Sequence, residues 1–124
     1  MTESQRARVV FLIRVPRQRT DDFLRAYERI RYQVAEGVDG HLMDQVCRSA
    51  SDPEQWLITS EWVSLRHFEE WERSDGHREL VRPMRECMTE GQSLRFTVHA
   101  ETSSRSSLAG LSPSAGAAAS RPAK

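Results

Sequence analysis

Apolar residues follow two different spacings along the chain, and the spacings predict the order of the secondary-structure elements. Strand-like alternation or short apolar runs occupy four segments: residues 8–15, 41–49, 56–62 and 91–100. Between the first two segments, apolar residues recur at i, i+4, i+7 and i+11, which predicts a helix with an inward face of Phe23, Tyr27, Ile30 and Val34. We expect Thr20 to cap this helix and the helix to end near Glu36. A second helical region follows Ser64 and is expected to break near residues 74–76.

The order β-α-β-β-α-β predicts an α+β, ferredoxin-like fold with a four-stranded antiparallel sheet. The first and third strands are apolar on both faces, so they belong in the middle of the sheet with cover on both sides. Two helices cover only one face of four strands. We therefore expect a second copy of the chain to cover the other face, which predicts a symmetric homodimer.

Composition limits the folded unit and its partners. Residues 102–124 are rich in Ser, Ala and Pro, which predicts a disordered tail after a folded domain of residues 7–101. The formal net charge is zero, which argues against binding to nucleic acid or to an anionic membrane surface. No apolar run approaches the roughly 20 residues that span a bilayer. The N-terminus lacks the apolar segment of a signal peptide and only two cysteines occur, so a cytoplasmic location is expected.

The histidines give the first candidate chemistry. None of the four has a close His, Cys or carboxylate neighbour at a metal-binding spacing, so no metal site is expected. His77 precedes Leu80, Val81 and Met84 by three, four and seven positions, which places it on or beside the inward face of its helix. It is interpreted either as a general base or as a helix-start residue that satisfies a backbone group. Trp62 ends the third strand and is interpreted either as core or as a substrate contact.

The third strand ends in Glu61-Trp62, and the segment Phe68-Glu-Glu-Trp71-Glu-Arg-Ser74-Asp-Gly-His77 follows. Together with the order of the elements, these residues resemble the antibiotic biosynthesis monooxygenase (ABM) family over about residues 8–100. The resemblance implies a dimeric α+β barrel. It also implies a relation to anthrone oxygenases, which use O₂ as co-substrate without a metal, flavin or haem.

In such enzymes a Trp and an Arg line the substrate cleft, and the matching positions here are Trp62 and Arg82. The resemblance further expects an Asn at Arg14 or Ile58, so this chain departs from the pattern in strands one and three. Arg14 is expected to hold an oxyanion of the substrate.

Two further positions also depart from the pattern. Phe68 stands where a Tyr is expected, and Arg48 stands where a His is expected. Both are predicted to contact the substrate, and Arg48 is expected to stabilise a phenolate or enolate.

The predicted function is a cofactor-independent monooxygenase that oxidises an aromatic polyketide-type intermediate, with His77 as base. The alternative is a binding or cyclase-like auxiliary protein of a polyketide pathway. A haem-degrading activity is disfavoured because Val81 and Arg14 occupy the positions of the expected axial His and Asn. That activity would require His77 itself to serve as the haem ligand, from a helix register different from that of the family.

Overall fold

The computed structural model describes residues 5–104, and it confirms the predicted ferredoxin-like α+β fold. Residues 105–124 of the predicted tail lie outside the described residues. A short 3₁₀ turn at Arg17–Arg19 precedes the first helix. The elements are β1 (Ala7–Arg14), α1 (Thr20–Gly37), β2 (His41–Arg48), β3 (Gln55–Trp62), α2 (Leu65–Glu72), α3 (Asp75–Arg85) and β4 (Glu90–Thr97).

The four strands form an antiparallel sheet in the order β2-β3-β1-β4, so the first and third strands are central as predicted. The pairing of β2 with β3 shifts between His41 and Met43. His41 therefore lies opposite Trp62, and Asp44 lies opposite Ser60. Residues three apart in a regular strand point to opposite faces, but the irregularity at Leu42 brings His41 and Asp44 to the same face.

The helices pack on one face of the sheet and bury the main core there. Phe23, Tyr27, Ile30 and Val34 of α1 are all buried, which confirms the predicted inward face. Phe23 contacts Trp56 edge to face, with ring centroids 5.3 Å apart. A second buried cluster lies towards the other end of the strands and consists of Ala7, Val9, Trp62 and Phe68.

Two serines determine where the second helical region begins and breaks. The hydroxyl of Ser64 accepts the backbone N–H of His67 at 3.2 Å, and the hydroxyl of Ser74 accepts that of His77 at 3.1 Å. These caps confirm the predicted start after Ser64 and the predicted break. The predicted cap at Thr20 is wrong, because the 3₁₀ turn runs directly into α1 and Thr20 is already helical.

The other face of the sheet has no helix on it within residues 5–104. The strand register places apolar side chains side by side there: Val10, Leu12, Leu57, Leu94 and Phe96. Phe96 is 52% exposed. We call this set the open face. Among the described residues, no helix is long and apolar enough to cross a lipid bilayer.

Candidate functional site

Two adjoining cavities lie beneath the helices. The larger of the two, about 190 Å³ in volume, lies between the sheet and the helices α2 and α3; we call it the larger cavity. Most of its wall is apolar or aromatic, so it suits a ring system better than a strongly solvated ligand. Its polar border consists of Ser60, Glu72, His77, Arg85 and Ser93. The predicted site residues Ile58 and Phe68 also border it.

His77 is the titratable base of the larger cavity. Its ring packs edge to face with that of Trp71, with centroids 4.4 Å apart and planes at 76°. Burial lowers the pKa of His77 below the ordinary histidine value, and the positive charge of Arg85 lowers it further. The charge and backbone of Glu72 oppose this shift, but the pKa remains lowered. His77 is therefore an uncharged imidazole at neutral pH, able to accept a proton.

Trp62 is buried in the core and does not border the larger cavity. It is 1% exposed, and its indole N–H donates to the hydroxyl of Ser60 at 2.9 Å. Trp71 stacks on it, with ring centroids 5.4 Å apart and planes at 29°. Trp71 itself borders the larger cavity. Trp62 thus supports the wall that Trp71 presents.

A smaller cavity of about 80 Å³ adjoins the larger one, between the sheet and α1. Both cavities are bordered by Ile58, Ser60, Trp71, Val81 and Met84. Trp62 borders only the smaller cavity.

Three polar side chains of the smaller cavity are joined by hydrogen bonds. The Tyr27 hydroxyl donates to Oδ1 of Asp44, and Nε2 of His41 lies 2.7 Å from Oδ2 of the same carboxylate. The His41 side chain is 4% exposed. Burial and the hydrogen bond to Asp44 raise the pKa of Tyr27 far above its ordinary value, so its hydroxyl stays protonated.

All three predicted site arginines lie away from both cavities. Arg82 is exposed and pairs with Glu79 at 2.7 Å. Arg48 lies over the ring of Trp56 at 4.9 Å and donates from Nε to a backbone carbonyl. Arg14 follows the alternation of β1 onto the open face, where it pairs with Asp52 at 3.1 Å. The structure therefore brings together Ile58, Phe68 and His77, and separates the arginines from them.

Several cavity residues were absent from the sequence-based prediction, and only some of them had a visible signal. Arg85 follows His77 by eight positions, so helical spacing places both on one face, and this signal was available. His41 and Asp44 share a face only because of the irregularity in β2, which the hydropathy pattern does not reveal. Within residues 5–104, no group of three or more His, Cys, Asp or Glu side chains is arranged to hold a metal ion.

The fold resembles those of solved structures. SnoaB, a cofactor-independent oxygenase from Streptomyces nogalater, superposes with a TM-score of 0.67 at 14% identity, over 78% of this chain and 96% of that one. A conserved protein from Methanosarcina mazei gives a TM-score of 0.66 at 19% identity, over 77% of this chain and 94% of that one. At these identities the likeness concerns the fold alone.

Closer sequence relatives come from Streptomyces. The chain is 45% identical over 100 residues to a 42.8 kDa protein in the whiE locus of Streptomyces coelicolor, covering 81% of this chain and 25% of that protein. It is 40% identical over 108 residues to SchA of Streptomyces halstedii, covering 87% of this chain and 28% of SchA. It is also 40% identical over 100 residues to the polyketide synthase CurD of Streptomyces cyaneus, covering 81% of this chain and 26% of CurD. The chain thus spans about a quarter of the length of these relatives.

A sequence profile described as antibiotic biosynthesis monooxygenase matches residues 6–83. This range contains β1 to β3 and α2, and most of α3. It includes the three predicted site residues that border the larger cavity: Ile58, Phe68 and His77. The chain belongs to the antibiotic biosynthesis monooxygenase family.

Proposed function

We propose that the chain is a cofactor-independent monooxygenase that oxidises an aromatic polyketide-type intermediate, such as an anthrone, with O₂ as co-substrate. The observation that carries this proposal is the uncharged imidazole of His77 at the wall of an apolar, aromatic cavity. The membership of the family and the polyketide context of CurD agree with it.

The proposed reaction begins with proton transfer. His77 takes a proton from the activated C–H group of the substrate, and the negative charge spreads over the ring system. Arg85, on the same cavity border, offsets that charge. The carbanion gives an electron to O₂, and the two radicals combine to form a peroxide anion. The imidazolium of His77 returns its proton to this anion, and the hydroperoxide then loses water. One anthrone and one O₂ thus give one quinone and one water.

Ile58, Phe68 and Trp71 would hold the flat ring system through contacts with its faces and edges. Trp62 would act through Trp71, because its own N–H is already bonded to Ser60. No contact in the described chain favours a direct role for Arg14, Arg48 or Arg82.

The test uses purified protein treated with a chelator and supplied with anthrone. Quinone absorbance and O₂ uptake are followed together, and both should exceed the protein-free rate in a one-to-one ratio. Ser93 lies at the border of the cavity on an exposed part of β4. Ser93→Phe should fill the cavity and remove most of the activity, whereas Ser93→Ala, the matched control, should retain it. Rates no faster than buffer, from folded protein that binds anthrone, would contradict the oxygenase proposal.

A second candidate function is binding of a pathway intermediate without oxidation, in a cyclase-like or auxiliary role. The observation that favours it is the apolar character of Ile58 and Phe68, which border the cavity where polar residues were expected. Quenching of tryptophan fluorescence by anthrone, without O₂ uptake, would support this function.

We also propose a homodimer in which the open faces of two copies pack together. Leaving Leu12, Leu94 and Phe96 in water is unfavourable because apolar area contributes roughly 25 cal/mol per Å² when it is buried. Sedimentation at micromolar concentration should give twice the mass of the 14.2 kDa chain. Phe96→Asp should shift the equilibrium towards monomer, whereas Thr97→Asp, one position along on the other face, should not. A monomer for the unaltered chain would contradict the dimer.

A further inference from the structure

We propose that His41, Asp44 and Tyr27 form a second acid–base site, which binds the hydroxyl group of a phenol in the smaller cavity and accepts its proton. The choice of a phenolic ligand rests on the proposed function, but the site itself rests on the geometry of these three residues. It contains no residue of the predicted site.

The carboxylate of Asp44 holds both neighbours in fixed roles. One oxygen accepts the Tyr27 hydroxyl, and the other lies 2.7 Å from Nε2 of His41. A carboxylate accepts hydrogen bonds, so Nε2 carries the proton and Nδ1 is left as the acceptor. Among residues 5–104, Nδ1 of His41 has no hydrogen-bond partner. This is the arrangement that orients an imidazole as a base.

The irregularity in β2 is what creates the site. With a regular strand His41 would point away from Asp44, and no carboxylate would orient the ring. The register shift instead places His41 opposite Trp62, with the two rings edge to face, centroids 5.2 Å apart, and both lining the smaller cavity. Irregularities of this kind re-aim a side chain at the cost of a ladder hydrogen bond.

The charges around the smaller cavity permit an anion there. Helix α1 contributes Arg31, whose guanidinium lies 5.2 Å from the centre of the Tyr27 ring. Strand β2 contributes Asp44 and His41 themselves. The residues that β3, α2 and α3 contribute to this cavity carry no charge. Arg31 is also paired with Glu28 on the same helix at 3.1 Å, so its charge is already compensated. The charge that offsets the phenolate is therefore that of the imidazolium formed by the proton transfer itself.

The size of the smaller cavity limits what enters it. About 80 Å³ is too little for a fused ring system, but it accommodates the hydroxyl-bearing end of a ring. The shared border with the larger cavity allows the remaining rings to lie there. The larger cavity would thus hold the rings, and the smaller one the hydroxyl.

The step is a proton transfer without oxidation or reduction. The phenol O–H bond breaks, the proton moves to Nδ1 of His41, and the electron pair stays on the phenolate oxygen. The imidazolium keeps its Nε2–H bond to Asp44. The product is an ion pair of phenolate and imidazolium, which the low polarity of the cavity strengthens.

The experiment measures the ionisation of bound 4-nitrophenol, whose phenolate form is yellow, by absorbance titration from acid to neutral pH. We expect the pKa of the bound phenol to fall by about one unit or more below its value in buffer. His41→Gln, which can still donate to Asp44 but cannot accept a proton, should abolish this fall. Asp44→Asn should reduce it, and Tyr27→Phe should reduce it less. His99→Gln, an exposed histidine substitution, is the matched control and should leave it unchanged.

Thermal unfolding followed by circular dichroism would confirm that each variant is folded at the titration temperature. Binding of 4-nitroanisole, which has the same ring but no acidic proton, shows whether the cavity is intact. An equal fall in His41→Gln and in the unaltered chain would overturn the proposal and leave the three residues as a structural link between α1 and β2. Absence of any fall would overturn it too. The measurement needs no O₂, so its result is independent of the oxygenase test.

Discussion

Each of the two adjoining cavities is bordered by one histidine, and the two histidines have different surroundings. His77 in the larger cavity packs against Trp71 and near Arg85, and burial lowers its pKa. His41 in the smaller cavity is almost fully enclosed, and Asp44 fixes its orientation. The surroundings of His77 keep it uncharged at neutral pH, whereas the carboxylate of Asp44 fixes which ring nitrogen of His41 carries the proton. The two histidines are thus held by different kinds of contact, aromatic packing for His77 and a hydrogen bond for His41.

The side chain of Trp71 forms part of the wall shared by the two cavities. Its truncation should give the largest loss of stability among the substitutions proposed. Trp71 stacks on Trp62 and contacts the ring of His77. Trp71→Ala should lower the free energy of unfolding by about 3 kcal/mol, at the lower end for a Trp truncation because Trp71 is only half-buried. Urea unfolding followed by circular dichroism measures this loss.

Trp71→Phe is the control, because it retains an aromatic wall. It should recover most of the stability and keep 4-nitroanisole bound in the larger cavity. Equal losses in the Ala and Phe variants would indicate that the stacked geometry matters more than the wall itself.

The division of roles between the histidines can be broken by single substitutions. His77→Gln should lower the rate of quinone formation by about 100-fold, since general bases contribute factors of this order. His41→Gln should weaken the ionisation of a phenol without removing the C–H deprotonation assigned to His77. Measurement of O₂ uptake in both variants decides this point. A larger loss in His41→Gln than in His77→Gln would reverse the assignment.

The charge of Arg85 provides a finer test of the larger cavity. Its removal in Arg85→Ala should raise the pKa of His77, because the positive charge of Arg85 lowers that pKa. A base is active only above its pKa, so the acid limb of the rate profile should move to higher pH in this variant. Arg78→Ala removes a charge that lowers the same pKa less and should move the limb by a smaller amount.

The same lowered pKa has a consequence for stability. The unfolded chain binds a proton at His77 more readily than the folded chain does, so acid favours unfolding. The stabilisation from an uncharged His77 is fully present above the ordinary histidine pKa of about 6.5 and is lost as the pH falls below it. Urea unfolding at several pH values should show this loss in the unaltered chain and a weaker one in His77→Gln. Identical profiles would contradict the lowered pKa.

The sequence pattern predicted the parts of the molecule that depend on periodicity. The inward face of α1, the start of the second helical region after Ser64, its break near residues 74–76 and the central position of β1 were all visible in the sequence, and all agree with the structure. His41 beside Asp44 could not be predicted in this way, because the irregularity in β2 breaks the alternation on which such reasoning depends.

The arginines show a second limit of sequence reasoning. Residues matched by resemblance keep their place along the chain, but the direction of a side chain depends on the face and on its ion-pair partners. Arg14 points to the open face and pairs with Asp52. Arg85, which resemblance did not select, borders the larger cavity. Position along a helix was a better guide here than the match to a family pattern.

The smallest effect is expected from Arg82→Ala. Arg82 is 58% exposed and pairs with Glu79 on the same helix, so its removal should change the free energy of unfolding by no more than about 0.5 kcal/mol. It borders neither cavity, so the rate of quinone formation and the pKa of bound 4-nitrophenol should both stay at the values of the unaltered chain. Glu79→Ala is the matched control for the ion pair. A large loss of activity in Arg82→Ala alone would return Arg82 to the site and show that substrate binding draws α3 into a different arrangement, because in the present one Arg85 is the arginine of α3 that borders the larger cavity.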